Sequence, residues 1–299
     1  MSLDFQNLKI EDRETVDPYL QSDGAVMSDR CFASLYMWSV KYKVKWCEKD
    51  GFLFLCSDTD PETLHYYMPL GNGDFKAALL EMAQHAKAVG KKFTVFLITE
   101  ERLKEFENCE FAEFDIKEDR DNFDYVYSRE TLSCLRGKKL HSKRNFVNRF
   151  KSLYDWQYNE FDPAKDREAV FDFLAKWHRK SREDNYDYSF EAAAITRAVK
   201  HYRSLDMRGA FLTVDGNIAA FTLAAPQNEK VVDVLIEKAD TDFIGSYQTI
   251  NQQFAENGCK EFDYINREED LGIDGLRRAK LSYCPEFLSK KYAAICKTR

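Results

Sequence analysis

Two stretches of this chain alternate apolar and polar residues on either side of a tight-turn tripeptide. Residues 44–48 and 52–56 flank Lys-Asp-Gly, and residues 210–214 and 218–224 flank Asp-Gly-Asn, so each predicts an antiparallel hairpin. Between and after them the apolar period lengthens. Residues 77–88, 169–180, 190–204 and 247–257 carry apolar side chains at i, i+3, i+4 spacing and predict helices, the last capped by Gly258. Residues 92–98 and 262–265 are short apolar-aromatic runs that predict strands. Hairpins followed by strand–helix–strand crossovers imply an α/β fold of α+β character, with helices on both faces of a mixed sheet.

The pattern repeats once. Asp74-Phe75 and Asp242-Phe243 open the two central helices 168 residues apart, and Leu103 and Leu271 follow the next strands at the same offset. Upstream, Gly51 and Gly216 turn the hairpins at an offset of 165; downstream, the runs Tyr125-Val-Tyr and Tyr292-Ala-Ala differ by 167. This period is far longer than a solenoid's, so the chain reads as two copies of one α/β domain.

Composition narrows the class. In 299 residues, 44% hydrophobic and 14% aromatic, there is ample core material for two folded domains. No apolar run reaches membrane-helix length and the start lacks a signal-peptide pattern, so a cytoplasmic location is expected. Eight scattered cysteines, none in a Cys-x-x-Cys pair, suit reduced thiols rather than a disulfide frame or a metal site. A net charge of −7 argues against nucleic-acid affinity spread over the whole surface. His65, His85, His141, His178 and His201 fall in no catalytic pattern, and no nucleophile elbow, zinc motif or phosphate-binding Walker loop is present.

Two segments concentrate chemistry. Residues 262–285 run from a strand into Asn266-Arg-Glu-Glu-Asp270, through Gly272 and Gly275, into a helix bearing Arg277, Arg278 and Lys280 and ending near Ser282 and Tyr283. A strand delivering charged groups at its C-terminal end is where open α/β sheets bind ligands. Residues 135–151 carry seven Lys/Arg and one His with no acid, and this basic helix reads either as a solvated linker or as a phosphate-binding face.

The run Lys138-Lys-Leu-His-Ser-Lys-Arg-Asn145, the run 266–283, Tyr36-x-Trp38 and Tyr67-Met-Pro-Leu-Gly71 together resemble a bacterial family of stand-alone proteins. That family is similar to the catalytic C-terminal domain of phosphatidylglycerol lysyltransferases. The resemblance spans nearly the whole chain and implies two tandem GNAT-like (acyl-CoA N-acyltransferase) folds, as in Fem-type peptidoglycan aminoacyltransferases. Placed on this sequence, it gives domain 1 as residues 1–130, a basic linker helix as 131–155, and domain 2, the active one, as 156–299. It implies an aminoacyltransferase that moves an activated aminoacyl group from aminoacyl-tRNA to an amine or hydroxyl on a small molecule, peptide or lipid headgroup. Transfer from acyl-CoA, or binding without catalysis, are the alternatives. Aminoacyl-tRNA or acyl-CoA would be the co-substrate, with no covalent cofactor and no metal, and tRNA would be the partner.

GNAT enzymes that use acetyl-CoA cradle its pyrophosphate on a glycine-rich helix start. Here the first copy offers only Gly71-Asn-Gly73 and the second only Gly245-Ser246-Tyr247, which favours the tRNA donor. Expected roles follow from chemistry and position: Glu268 or Asp270 as base or amine anchor, and Tyr283 as general acid. Lys143, Arg144, Asn145, Gly245, Ser246, Tyr247, Arg277 and Lys280 are the expected donor or phosphate ligands, with Asn266 and Ser282 also in the pocket. The first copy has Ile98 where the second has Asn266 and Arg102 in place of Asp270, so copy one is expected to be structural and the deep pocket to lie in copy two.

Overall fold

Both hairpins turn as their dipeptides require. Asp50 and Gly51 have φ of 49° and 80°, Asp215 and Gly216 have 50° and 79°, and two successive left-handed residues match the right-handed twist of the strands they join. The computed structural model describes residues 3–180 and 188–297, and the chain divides into two units. None of the described helices is long and apolar enough to cross a membrane.

Unit 1 runs to Phe123 and resumes at Ser289. Its eight-stranded sheet has the order Gln6–Asn7, Val44–Lys49, Phe52–Ser57, Thr63–Tyr67, Lys92–Ile98, Tyr292–Cys296, Phe114–Glu118, with Leu70–Gly71 beside Phe52–Ser57. Thr63–Tyr67 and Lys92–Ile98 are parallel; the other neighbours are antiparallel. The crossover between the parallel pair is the helix Phe75–Ala88, whose Asp74 side chain caps the Ala77 amide at 3.1 Å.

Unit 2 is Asp124–Leu288. Its seven-stranded sheet is ordered Phe287–Ser289, Asp124–Ser128, Tyr264–Asn266, Val231–Ala239, Asn217–Pro226, Arg208–Val214, Trp156–Glu160. Val231–Ala239 and Tyr264–Asn266 are its parallel pair, joined through the helix Ser246–Asn257. Two mixed sheets, each with one strand–helix–strand crossover, match the repeat read from the sequence.

The boundaries depart from the contiguous halves 1–130 and 156–299. Tyr292–Cys296 inserts between Lys92–Ile98 and Phe114–Glu118 in unit 1, while Asp124–Ser128 pairs with Tyr264–Asn266 in unit 2. Each copy thus gives up its closing strand to the other. The segment expected as a linker, 131–155, belongs to unit 2. It forms the end of Arg129–Cys134 and the helix His141–Leu153, and Leu132, Leu135, Leu140 and Val147 share one buried cluster with Tyr125, Val232 and Phe254. Burial of Val147 and Phe150 from the helix itself, beside Leu140 at its start, outweighs the solvated basic face as the reason for its position.

Candidate functional site

The parallel pairing in unit 2 is short. Val231–Asp233 faces Tyr264–Asn266 and the ladder stops there, although the first strand continues to Ala239. Opposite, Leu223 pairs with Ile236 and Ala224 with Val234, so Leu235 is the extra residue of a β-bulge. A bulge reverses the alternation beyond it. Glu237 is thereby turned to the face that carries Val232 and Val234, against the helix Ser246–Asn257, where Asn251 Nδ2 donates to its Oε2 at 3.2 Å. Arg267, the first residue past the short strand, donates to Glu237 Oε1 at 2.7 Å. The two side chains are 14% and 9% exposed.

This cluster has spare capacity. Arg267 Nη1 and Asn251 Oδ1 are buried and make no hydrogen bond among the described residues. A buried donor and a buried acceptor without partners each cost about 1–3 kcal/mol, which a ligand that fills the gap would recover. None of Glu237, Asn251 and Arg267 was singled out from the sequence as a site residue. The available signal was Glu237-Lys238, which with Asp233 interrupt an otherwise apolar strand, but the bulge that aims Glu237 depends on pairing with the neighbouring strand.

Beyond Arg267 the backbone is held by its own charges. Lys280, 8% exposed, donates from Nζ to the carbonyls of Arg267 at 2.5 Å, Glu268 at 3.0 Å and Glu269. Its three donors are thereby spent, which corrects its expected role as a phosphate ligand; burial pushes its amine down despite Glu269 and Glu268. Asp270, fully buried, accepts from Tyr125 Oη at 2.5 Å, Arg277 Nε at 2.9 Å and Nη2 at 2.8 Å, and the Gly272 amide at 2.9 Å. Burial raises its affinity for a proton, but these donors together outweigh burial and hold the carboxyl well below the ordinary aspartate range. Asp270 is therefore a structural anion rather than a base, and Arg277 is its partner rather than a donor ligand. Asn266, fully buried, bridges Asp124 at 3.2 Å and the Glu268 amide at 2.9 Å, and Ser282 Oγ caps the Ala279 carbonyl at 2.6 Å.

Gly245 precedes the helix start at a point of close packing. Gly245 has φ of 90°, and a Cβ there would lie 2.3 Å from the Phe146 carbonyl oxygen. It is a close-packing glycine: the space that a side chain would take there is held by the basic helix. Ser246 Oγ donates to the Asp240 carbonyl at 2.8 Å, and burial pushes the Tyr247 phenol up to about 12. Arg144 donates to the Leu135 carbonyl at 2.6 Å and Asn145 contacts His141 at 3.1 Å, so both brace the start of their own helix.

Two expected residues, Tyr283 and Lys143, gather at the cluster. Tyr283, 5% exposed, has Lys143 Nζ 4.3 Å and the Arg267 guanidinium 5.0 Å from its ring centre. Burial raises the Tyr283 phenol above its ordinary value, more than Arg267 lowers it. Burial, and then the charge of Arg267, push the half-buried Lys143 amine down. Glu268 lies in the left-handed region at φ 56°, and burial reinforced by Glu269 raises its carboxyl well above the ordinary glutamate value.

Unit 1 differs at the matching place. There Thr63–Tyr67 pairs along its whole length with residues 92–96, so the parallel strands do not part. Arg30, fully buried, is held by Asp23 at 3.0 Å, and Lys291 by Asp29 at 2.6 Å. A cavity of about 520 Å³ in this unit is lined by Phe106, Glu107, Glu110, Glu113 and their neighbours, and includes none of Tyr67, Gly71 and Gly73.

The chain matches the model of the phosphatidylglycerol lysyltransferase C-terminal family over residues 24–295. A Bacteroides thetaiotaomicron protein of unknown function is 34% identical, with a TM-score of 0.90 over 99% of this chain and 100% of that one. L-PGS from Bacillus licheniformis shares the fold at 17% identity and a TM-score of 0.70, over 96% of this chain and 93% of that one. FemX does so at 11% and 0.64, over 98% and 97%. A tandem GNAT protein of the clavulanic acid pathway does so at 10% and 0.52, over the full length of both chains. An uncharacterized Mycoplasmoides gallisepticum protein is 27% identical over 170 residues, 56% of this chain and 54% of its own, so the chain spans about half the length of that curated relative. The fold is two GNAT-like domains in tandem, and the chain belongs to the family of phosphatidylglycerol lysyltransferase C-terminal domains.

Proposed function

We propose that this protein is an aminoacyltransferase that passes an activated aminoacyl group from aminoacyl-tRNA to an amine or hydroxyl acceptor, at the gap between the parting strands of unit 2. The observation that carries this reading is the buried Glu237–Arg267–Asn251 cluster with an uncommitted guanidinium N–H. Acyl transfer places negative charge on the ester's carbonyl oxygen, and a preorganised buried donor stabilises it best. In this reading Arg267 Nη1 donates to that oxygen while Glu237 fixes the guanidinium. Glu268 takes the acceptor's proton as its O or N attacks the carbonyl carbon. Tyr283, which burial keeps neutral, gives its proton to the ribose oxygen as the ester C–O bond breaks, and solvent returns the proton from Glu268 to Tyr283. The single glycine of Gly245-Ser246-Tyr247, in place of a glycine-rich helix start, favours this donor over acyl-CoA.

The test is consumption of the ester. The chain is incubated with charged tRNA and with vesicle, peptide and small-amine acceptors, and loss of labelled aminoacyl ester is followed. Turnover by the wild type, abolished in Arg267→Met and partly kept in Arg267→Lys, supports the assignment. Equilibrium binding of tRNA with no acceptor-dependent turnover would instead make the protein a binding module on this scaffold, and thioester consumption would make acyl-CoA the donor.

A further inference from the structure

Of the two uncommitted groups in the buried cluster, the transfer step uses only one. Arg267 Nη1 serves the carbonyl oxygen. Asn251 Oδ1 is left over, on a side chain 3% exposed, with no hydrogen bond among the described residues. Its direction is fixed by chemistry. A carboxylate only accepts, so the Asn251 nitrogen faces Glu237 Oε2, at 3.2 Å, and the amide oxygen is turned away from it. Arg267 Nη2 meets the other oxygen of the same carboxylate at 2.7 Å. Glu237 thereby holds a buried spare donor on one of its oxygens and a buried spare acceptor on the other.

An aminoacyl ester presents the complementary pair. Its carbonyl oxygen accepts, and its α-ammonium, two bonds from the carbonyl carbon, donates. A plain acyl ester has the first group and lacks the second. An N–H from the ammonium would satisfy the buried amide oxygen with a charge-assisted bond, whereas a methyl group in its place would strand that oxygen. We propose that Asn251 determines specificity for the donor: its Oδ1 accepts from the α-ammonium of the aminoacyl group and so selects against acyl groups that lack one. The inference rests on the transferase reading for its ligand. Sites built around a hydrogen bond discriminate strongly against the analogue that cannot make it, because their own buried group is then left unpaired.

Isothermal titration of the full chain tests this with two hydrolysis-resistant probes, 3′-amino-3′-deoxyadenosine acylated on its 3′ nitrogen with alanine or with propionate. They differ only in the ammonium, and both carry the same small methyl group. The wild type should bind the alanyl probe at least about tenfold more tightly, the effect of one hydrogen bond to a charged group. In Asn251→Leu the preference should fall to about twofold or less; Asn251→Ala is read instead if the leucine variant does not melt cooperatively. Equal wild-type affinities would leave Asn251 Oδ1 to water and overturn the proposal. A preference that survives in the variant would assign the ammonium to Glu237, and an equal loss for both probes would make Asn251 only a support for Glu237. Either result overturns the proposal, as does failure of the wild type to bind either probe. None of these readouts depends on turnover, so consumption of the charged tRNA ester decides the transferase reading separately.

Discussion

Replacing Asp270 by Asn tests whether that carboxylate holds the loop or performs chemistry. The substitution keeps the side chain's shape but removes the charge that accepts two bonds from Arg277, one from Tyr125 and one from the Gly272 amide. Asp270 is fully buried and Arg277 is 28% exposed, so the pair lies in the range where breaking it costs about 3–5 kcal/mol. For a unit the size of Asp124–Leu288 that corresponds to a fall in melting temperature of about 6–20 °C. The pH dependence gives an independent handle. Asp270 is depressed in the folded state, so its contribution is fully present above the unfolded aspartate value near 4 and is lost as pH falls toward the folded value. Urea unfolding of wild type and Asp270→Asn should differ by a constant amount above a pH of about 5, and the difference should shrink below about 4. A loss under about 1 kcal/mol at neutral pH, or a difference that persists unchanged into acid, would refute the structural assignment.

Glu268→Gln should lower kcat by about 100-fold and abolish the rising acidic limb of the rate profile, because a base with a raised pKa works only above that pKa; steady-state kinetics across pH would read both. Lys280→Met removes the donor to three consecutive carbonyls and should free residues 267–269, seen as faster amide exchange there with a loss of transfer. Gly245→Ala forces an alanine into φ of 90° against the Phe146 carbonyl; the backbone conformation alone costs about 1–3 kcal/mol, and denaturant titration should show at least that loss. Tyr125→Phe deletes one hydrogen bond to the buried Asp270 carboxylate and should cost about 1.5–3 kcal/mol, measured in the same way.

Local structure was largely legible in the sequence. The hairpins expected at 44–48/52–56 and 210–214/218–224 are Val44–Lys49/Phe52–Ser57 and Arg208–Val214/Asn217–Pro226, and the helix expected at 247–257 is Ser246–Asn257. Those elements are set by turn dipeptides and by periodicity within a few residues. The helix expected at 190–204 begins at Tyr188 and stops at Lys200, since the residues up to Asp206, itself at φ 50°, turn the chain instead. Site chemistry was less legible for a different reason. Asp270, Arg277 and Lys280 have the composition of a ligand site, but only their depth shows that they satisfy one another and the backbone. Conversely, Glu237 reaches the site through a bulge set by pairing with Asn217–Pro226, and Gly245 is closed by a residue about a hundred positions earlier in the chain.

The exchanged closing strands have a consequence for synthesis on the ribosome. Lys92–Ile98 and Phe114–Glu118 leave the ribosome long before Tyr292–Cys296, the strand that separates them in the finished sheet. Closing so long a loop adds little to the equilibrium cost, since each doubling of loop length costs only about 0.6 kcal/mol. Its effect is on timing, because distant pairings form slowly. Until then the nascent first sheet carries two facing edges with unsatisfied backbone groups, a state open to mispairing with another copy. In unit 2 Asp124–Ser128 waits in the same way for Tyr264–Asn266 and Phe287–Ser289, its two neighbours in the sheet. The order of synthesis therefore keeps both sheets unfinished until the last stretch of the chain emerges.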